Sequence, residues 1–214
     1  MGLLAFLRRR ADDMLTLGLE HVAVVLVALL CASVVGVGVG VATYRSDRAR
    51  SVALAVSGTF LTIPSFALLV LLVGPLGLGA RNVVVALTLY GLLPVLRNTV
   101  VGLREVPVAV VESATGMGMS RRQRLLRVEL PLAWPVILTG MRVSALILVG
   151  GAAIGAVVLG PGYGELIFAG LARVGTDVAL HLVLAGVLGV LVVAVLFDVA
   201  FTLLRRVTTS RGLR

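Results

Sequence analysis

PVAVVESATGMGMSRRQRLLRVELP (residues 107–131) is the one long polar interruption in a chain that is otherwise a series of apolar runs. Pro107 suits the opening of a short helix, because its φ is already near the helical value and its missing N–H is not needed in a first turn. Gly116 and Gly118 supply a flexible break shortly after Glu112. A second helix opens at Ser120, followed three residues later by Gln123. This is a capping box: the hydroxyl accepts from the Gln123 backbone amide and the Gln123 side chain reaches back to residue 120. Pro131 is expected to end that helix, since proline disfavours helical geometry at the residue before it. Leu125, Leu126, Val128 and Leu130 recur at helical steps, while Arg121, Arg122, Arg124 and Arg127 make the remaining surface strongly positive. The stretch reads as helix, glycine turn, helix, lying in water and shaped to be held by another molecule.

Only 14% of the 214 residues are charged, against about 25% in an ordinary soluble domain, and the mean hydropathy is +1.12. Composition alone therefore places the chain among membrane proteins, and the expected fold class is all-α with about five transmembrane helices. The net charge of +9 is carried entirely by arginine, with no lysine. These arginines sit at the ends of apolar runs, as membrane topology requires. A nucleic-acid module would gather them on one soluble face beside polar or aromatic readers, so no nucleic-acid partner is expected. Cys31 is the sole cysteine, which excludes an intramolecular disulfide; inside an apolar run it is expected to act as a small buried hydrophobe. His21 and His181 stand at span edges without a histidine or cysteine partner nearby, so no metal and no cofactor is expected. Without lysine the phosphate-cradling G-x-x-x-x-G-K-[ST] cannot occur, and no catalytic constellation is present.

Residues 1–19 mix an apolar run too short to cross a bilayer with Arg8, Arg9 and Arg10, and read as an interfacial segment. The membrane domain covers 20–206, and 207–214 form a tail. Spans are expected at 20–43, 52–73, 82–103, 132–159 and 178–204. The second is interrupted at Pro64 and Ser65, where proline removes a backbone hydrogen bond; lipid does not tolerate the freed carbonyl, so the break should face the bundle interior. The fourth, at roughly 42 Å, is longer than the apolar core of a bilayer and must tilt, bend at Gly150 and Gly151, or protrude.

Five spans place the Arg45 loop, the loop 104–131 and the C-terminal tail on one side with twelve arginines, against Arg81 and Arg173 opposite. The positive-inside rule makes the first side cytoplasmic. Five spans also put the N-terminus outside despite its three arginines, which leaves six crossings or a re-entrant N-terminal segment as the alternative. Arg97, Arg142 and Asp198 are ionisable groups within spans, where unpaired charge is costly. Arg142 and Asp198 lie near span ends and are expected to snorkel. Tyr90, Arg97, Asn98 and Thr99, with Pro64 and Ser65, are candidates for lining a polar passage. Tyr163 and Glu165, between the last two spans, read either as a solvated loop or as contacts for an external partner.

With those residues in place, the chain resembles the permease subunits of ATP-binding-cassette importers. Their cytoplasmic motif is E-A-A, three residues, G, nine residues, I, any residue, L-P. Here Glu112, Ser113, Ala114, Gly118, Val128, Leu130 and Pro131 keep every spacing, with serine (Ser113) for the first alanine and valine for isoleucine. The strings YGLLPVLRNTVVGL (90–103) and GPGYGELIFAGLA (160–172) are similar to the glycine betaine, carnitine and choline branch. The resemblance implies a type I permease fold in a prokaryotic plasma membrane, with the loop 104–131 coupled to a separate ATPase subunit. It also implies a second permease subunit, identical or paralogous, an extracytoplasmic solute-binding protein, and membrane lipid as surroundings. The solute implied is an osmoprotectant of the glycine betaine, carnitine, choline or proline type, with another small solute such as an amino acid as alternative. A secondary transporter would need midplane carboxylates and inverted repeats; Asp198 is the one acid well inside a span.

Overall fold

Residues 2–208 are described by the computed structural model, and its helices start and stop where proline, glycine and capping side chains dictate. Helix α1 (Leu3–Arg9) is followed at once by α2 (Ala11–Thr43). Asp12 and Asp13 occupy the first turn of α2, where the helix dipole favours acids. The helix therefore begins well before the expected span start at Glu20, and its 33 residues extend about 50 Å. After a turn, Ser46 caps α3 (Asp47–Thr62) by accepting from the Ala49 amide. Ile63 and Pro64 are extended, at ψ 128° and 133°, before α4 (Ser65–Leu76) resumes at an angle of 99° to α3. Gly77 and Gly79, both at positive φ, lead into α5 (Ala80–Arg104).

The polar stretch forms α6 (Val108–Gly116) and α7 (Arg121–Arg124). A single π-helical turn, Leu125–Glu129, then runs without interruption into α8 (Leu130–Ile154). Pro131 therefore does not end the second short helix. Proline lacks the N–H and crowds the carbonyl four residues back, and widening the turn relieves both: Leu130 N–H bonds to Leu125 O, five residues back. The helix stays α-helical through Gly150 and Gly151, tightens to 3₁₀ over Gly155–Val158, and ends at Leu159 with φ 59°. No break occurs at Gly150 and Gly151, which leaves tilt or protrusion to accommodate the excess length of the fourth span. Helices α9 (Gly164–Leu171) and α10 (Ala179–Thr208) complete the described chain.

Four helices are each long and apolar enough to cross a bilayer, and the bent pair α3–α4 makes a fifth traverse. That pair connects opposite ends of the bundle. At its start Asp47 Oδ1 accepts from Arg104 Nη1 at 3.1 Å, at the end of α5. At its finish Gly79 N–H donates to Val158 O at 2.7 Å, at the far end of α8. The N-terminal segment belongs to this second end, since the Phe6 ring lies 5.6 Å from that of His181 and Tyr163 Oη donates to Met14 O at 2.9 Å. Helix α1, seven residues long, is too short to cross, so the six-crossing alternative does not hold among the described residues. Arg45, Arg48, Arg50, Arg104, Arg121, Arg122, Arg124 and Arg127 share the first end with Arg205 and Arg206; Arg211 and Arg214 of the expected tail lie outside the described residues.

Lipid is as apolar as leucine, so hydrophobicity does not drive these helices together; close backbone approach and interhelical hydrogen bonds do. Helix α5 is sandwiched between α2 and α8 because small residues let it in. A Cβ at Gly40 of α2 would stand 2.6 Å from Thr99 Cγ2, and one at Gly140 of α8 would stand 2.6 Å from Pro94 O. Ser144 Oγ of α8 donates to Gly91 O of α5 at 3.1 Å, and Asn82 Nδ2 of α5 donates to Leu69 O and Gly77 O of the α4 segment. Bonds of this type contribute about 0.6 kcal/mol each inside a bilayer. The outer faces carry exposed Leu30, Val34, Leu71, Leu191 and Val195. Such continuous apolar surface suits lipid and would be an aggregation liability in water. Cys31 belongs to this exposed set, contrary to its expected burial.

The arrangement fixes an expected labelling result. A cysteine placed at Ser120, in a chain lacking Cys31, should resist an impermeant maleimide added outside intact cells and react after permeabilisation. Strong labelling from outside would invert the topology.

Candidate functional site

Helix α6 projects from the arginine-rich end. Its C-terminus closes in a Schellman motif: Met119 N–H reaches Ala114 O at 3.2 Å and Gly118 N–H reaches Thr115 O at 2.9 Å. The motif requires a left-handed residue between them, and Gly118 supplies it at φ 81°. The capping box then opens α7, with both arms present: Gln123 N–H to Ser120 Oγ at 3.3 Å and Ser120 N–H to Gln123 Oε1 at 2.8 Å. Ala114 is buried at the base of the hairpin, whereas Glu112, Ser113 and Gly118 are exposed. Val108 and Met117 are also exposed, at 69% and 70%. These are apolar side chains on a segment that stands clear of the bundle. Val128 and Leu130 are half-buried where the hairpin joins α8, and Pro131 faces outward.

Beneath the hairpin is a residue that sequence reasoning missed. Glu129, 3% exposed, accepts from Tyr44 Oη at 2.5 Å, Arg45 Nη2 at 3.1 Å and Arg124 Nε at 2.7 Å. Arg124 donates in turn from Nη1 to Thr115 Oγ1 at 2.8 Å. Arg124 is thus not part of the exposed basic surface expected of the second helix. Burial and the bond to Glu129 push the Tyr44 phenol up to about 12, so it stays a hydrogen-bond donor at any physiological pH. The one available signal in the sequence was sign: Glu129 is the single acid among Arg121, Arg122, Arg124 and Arg127, directly before the Leu-Pro that opens an apolar run.

At the break the Ile63 carbonyl is turned to the bundle, where Tyr90 Oη donates to it at 2.5 Å, while Pro64 itself is exposed. Pro64, Ser65 and Tyr90 line one cavity of about 380 Å³ with Thr62, Leu87 and Ile147. Among the described residues, no ionisable side chain other than the Tyr90 phenol lines it. The other passage candidates are elsewhere. Arg97 is exposed in a separate cleft with Arg50, Arg104 and Glu105. Asn98 donates to Pro94 O at 2.8 Å and packs on Gly140, and the buried Thr99 donates to Val95 O and packs on Gly40.

Arg142 and Asp198 do not snorkel separately. Arg142 Nε and Nη2 approach Asp198 Oδ1 at 2.6 and 2.5 Å, so α8 and α10 neutralise each other's charge. Tyr163 is 8% exposed, its ring wedged against Gly18 and Gly189. It is therefore a core tyrosine, neither a solvated loop residue nor an accessible contact, while Glu165 is exposed. His21 is fully buried rather than at an edge, with Nε2 3.1 Å from Val149 O. Among the described residues no cluster of histidine, cysteine and acids is arranged to hold a metal.

Comparison with known proteins agrees with this architecture. Residues 23–209 match the family described as "Binding-protein-dependent transport system inner membrane component". The chain is 32% identical over 209 residues to the choline transport system permease protein OpuBB of Bacillus subtilis, covering 98% of this chain and 94% of that one. It is 40% identical over 168 residues to the osmoprotectant import permease protein OsmY of Salmonella typhimurium, covering 77% and 71% respectively. In fold it is similar to a chain of the MetNI methionine ABC transporter in an inward-facing conformation, with a TM-score of 0.80 at 23% identity over 93% of this chain and 99% of that one. With five traverses, an exposed hairpin and these relatives, the chain belongs to the family of inner membrane components of binding-protein-dependent transport systems, and is a multi-pass permease of an ABC importer.

Proposed function

We propose that this permease forms half of the path by which an ATP-driven importer takes up an osmoprotectant of the glycine betaine, carnitine, choline or proline type, and that α6 is the element through which a separate ATPase subunit drives it. The observation that carries the reading is the α6 hairpin, held to one shape by the Schellman turn at Gly118 and presenting exposed Val108, Glu112 and Met117. Glu112, Ser113, Ala114 and Gly118 form the docking surface, and Val128, Leu130 and Pro131 transmit from it to α8. The chain has no lysine and so lacks the usual phosphate-cradling loop, which assigns ATP hydrolysis to the partner. A second permease subunit completes the enclosure, and an extracytoplasmic binding protein delivers the solute.

The Pro64 cavity is the segment of path within this chain. Tyr90 is its one aromatic lining residue and it has no carboxylate, so it lacks the aromatic cage that grips a quaternary ammonium. Weak, neutral contact suits passage, because a solute must leave as readily as it enters. Pro64, Ser65 and Tyr90 therefore shape the path, Arg97, Asn98 and Thr99 lie nearer its cytoplasmic end, and selection rests with the binding protein. The test is uptake of labelled glycine betaine, choline and carnitine by cells whose other importers are deleted. The expected result is uptake that collapses on ATP depletion and persists when the proton gradient is dissipated, with an ATPase recovered on the tagged permease. Uptake that follows the ion gradient, or a permease that purifies without any ATPase, would overturn the proposal.

A further inference from the structure

We infer that Glu129 is a positioning residue that locks the α6 hairpin to the cytoplasmic end of α2, so that a push on α6 moves α2 and α8 as one body. The inference rests on the docking reading of α6 given above. Three donors from two separate segments converge on this one buried carboxylate. Tyr44 and Arg45 come from the turn that ends α2, and Arg124 comes from α7. Arg124 also holds the Thr115 hydroxyl, in the last turn of α6. The bonds thus form a continuous series: α6 through Thr115, α7 through Arg124, α8 through Glu129, α2 through Tyr44 and Arg45.

The geometry depends on Pro131. Residues five apart in a regular α-helix are separated by about 140° around the axis, so their side chains do not meet. In a π turn, with its hydrogen bonds between residues five apart, they stack. Arg124 and Glu129 are five apart and span this turn, and their 2.7 Å contact exists because Leu125–Glu129 is π-helical. The proline that widens the turn therefore also aims the carboxylate. Burial makes the arrangement stringent. The Glu129 side chain is 4% exposed and that of Arg124 16% exposed, so water is poorly placed to replace a lost partner, and an unpaired charge there is strongly disfavoured. Elsewhere α6 touches the bundle little; its outward face is exposed at Val108, Val110 and Met117. A motion of α6 has few other ways to reach α2.

The experiment uses the assembled importer, permease with its ATPase and binding protein, in proteoliposomes loaded with ATP, and reads solute taken up per ATP hydrolysed. Glu129→Gln keeps the shape and one acceptor for Tyr44 but loses the charge. Thr115→Val cuts the series at α6 without touching Glu129, and Glu129→Asp keeps the charge on a shorter arm. We expect Glu129→Gln to retain the ATPase and to lower uptake per ATP about tenfold. Thr115→Val should lower it severalfold, and the double variant should be no worse than Glu129→Gln, because the two changes interrupt one series. Glu129→Asp should recover part of the loss. A residue that merely stabilises the fold would lower the Tm and the yield of complex and leave uptake per ATP at the wild-type value; that result, or strictly multiplicative losses in the double variant, overturns the inference. If Glu129→Gln fails to reach the membrane, Thr115→Val and Tyr44→Phe decide the matter by the same ratio. Failure of the docking reading would look different, because the wild-type permease would then not hold an ATPase at all.

Discussion

Gly118→Asp is expected to yield a permease that inserts and accumulates normally, purifies without its ATPase and supports less than about a hundredth of normal uptake. The fold tolerates the change because nothing lies within 4 Å of a Cβ added at Gly118. The one intrinsic penalty is the φ of 81°, which costs an L-residue about 1 kcal/mol, and aspartate is among the residues that bear it best. In a hairpin that contributes little to bundle packing, that cost does not unfold the protein. The effect falls on the surface instead. The new carboxylate stands on the outward side of the turn, where the proposed function seats the ATPase, and an unpaired charge buried at such a contact costs about 3 kcal/mol or more. That corresponds to roughly two decades of affinity. The measurement is paired: ATPase retained on the tagged permease, and uptake by the same cells. Undisturbed association together with full uptake would remove the docking role from this loop.

Gly164→Ala is expected to act in the opposite way, weakening the fold and not the coupling. Gly164 opens α9, and a Cβ there would stand 2.0 Å from Ala153 O and 2.8 Å from Ala153 C. Both atoms are backbone of α8, which cannot step aside as a flexible side chain would. Overpacking of this kind costs about 3 kcal/mol, a large fraction of the stability margin of a small domain. The expected readout is a Tm in detergent lowered by several degrees and a permease level in the membrane reduced severalfold. Gly150→Ala is the control. Gly150 lies in the interior of α8 with nothing within 4 Å of an added Cβ, and alanine is the better helix former there by about 1 kcal/mol. That variant should be at least as stable as wild type. Equal behaviour of the two would show that α9 is not packed on α8 as described.

The contrast between these glycines separates what local sequence encodes from what it does not. Gly118 was legible: a glycine a few residues past Glu112 and just before a capping box marks a helix stop, and its positive φ follows from that. Gly164 carried no comparable signal, because the atom it avoids, Ala153 O, belongs to a different helix. The Pro64 break was legible for the same reason as Gly118, and the need for a partner at its carbonyl followed from the intolerance of lipid for a bare one; that Tyr90 meets the Ile63 carbonyl was not, since the two are 27 residues apart. Pro131 was misread in a telling way. A proline does break the α-helical hydrogen-bond pattern, but a π turn satisfies that requirement without ending the helix, and here Leu125–Glu129 runs on into α8.

By itself the sequence determined the membrane class, the apolar runs, the arginine-rich face and the helix–turn–helix loop, because each depends on hydropathy, charge at span ends or backbone preferences within about ten residues. The tertiary structure alone decided which polar groups within and beside the spans are paired. Arg142 finds Asp198 across two helices, Tyr163 is wedged beneath the start of α2, His21 is swallowed whole, and Glu129 gathers Tyr44, Arg45 and Arg124. The physical reason is that a buried polar group must find a partner somewhere, while hydropathy states only that the need exists; where the partner stands is set by which helices approach closely, and that is fixed by small residues meeting across the bundle.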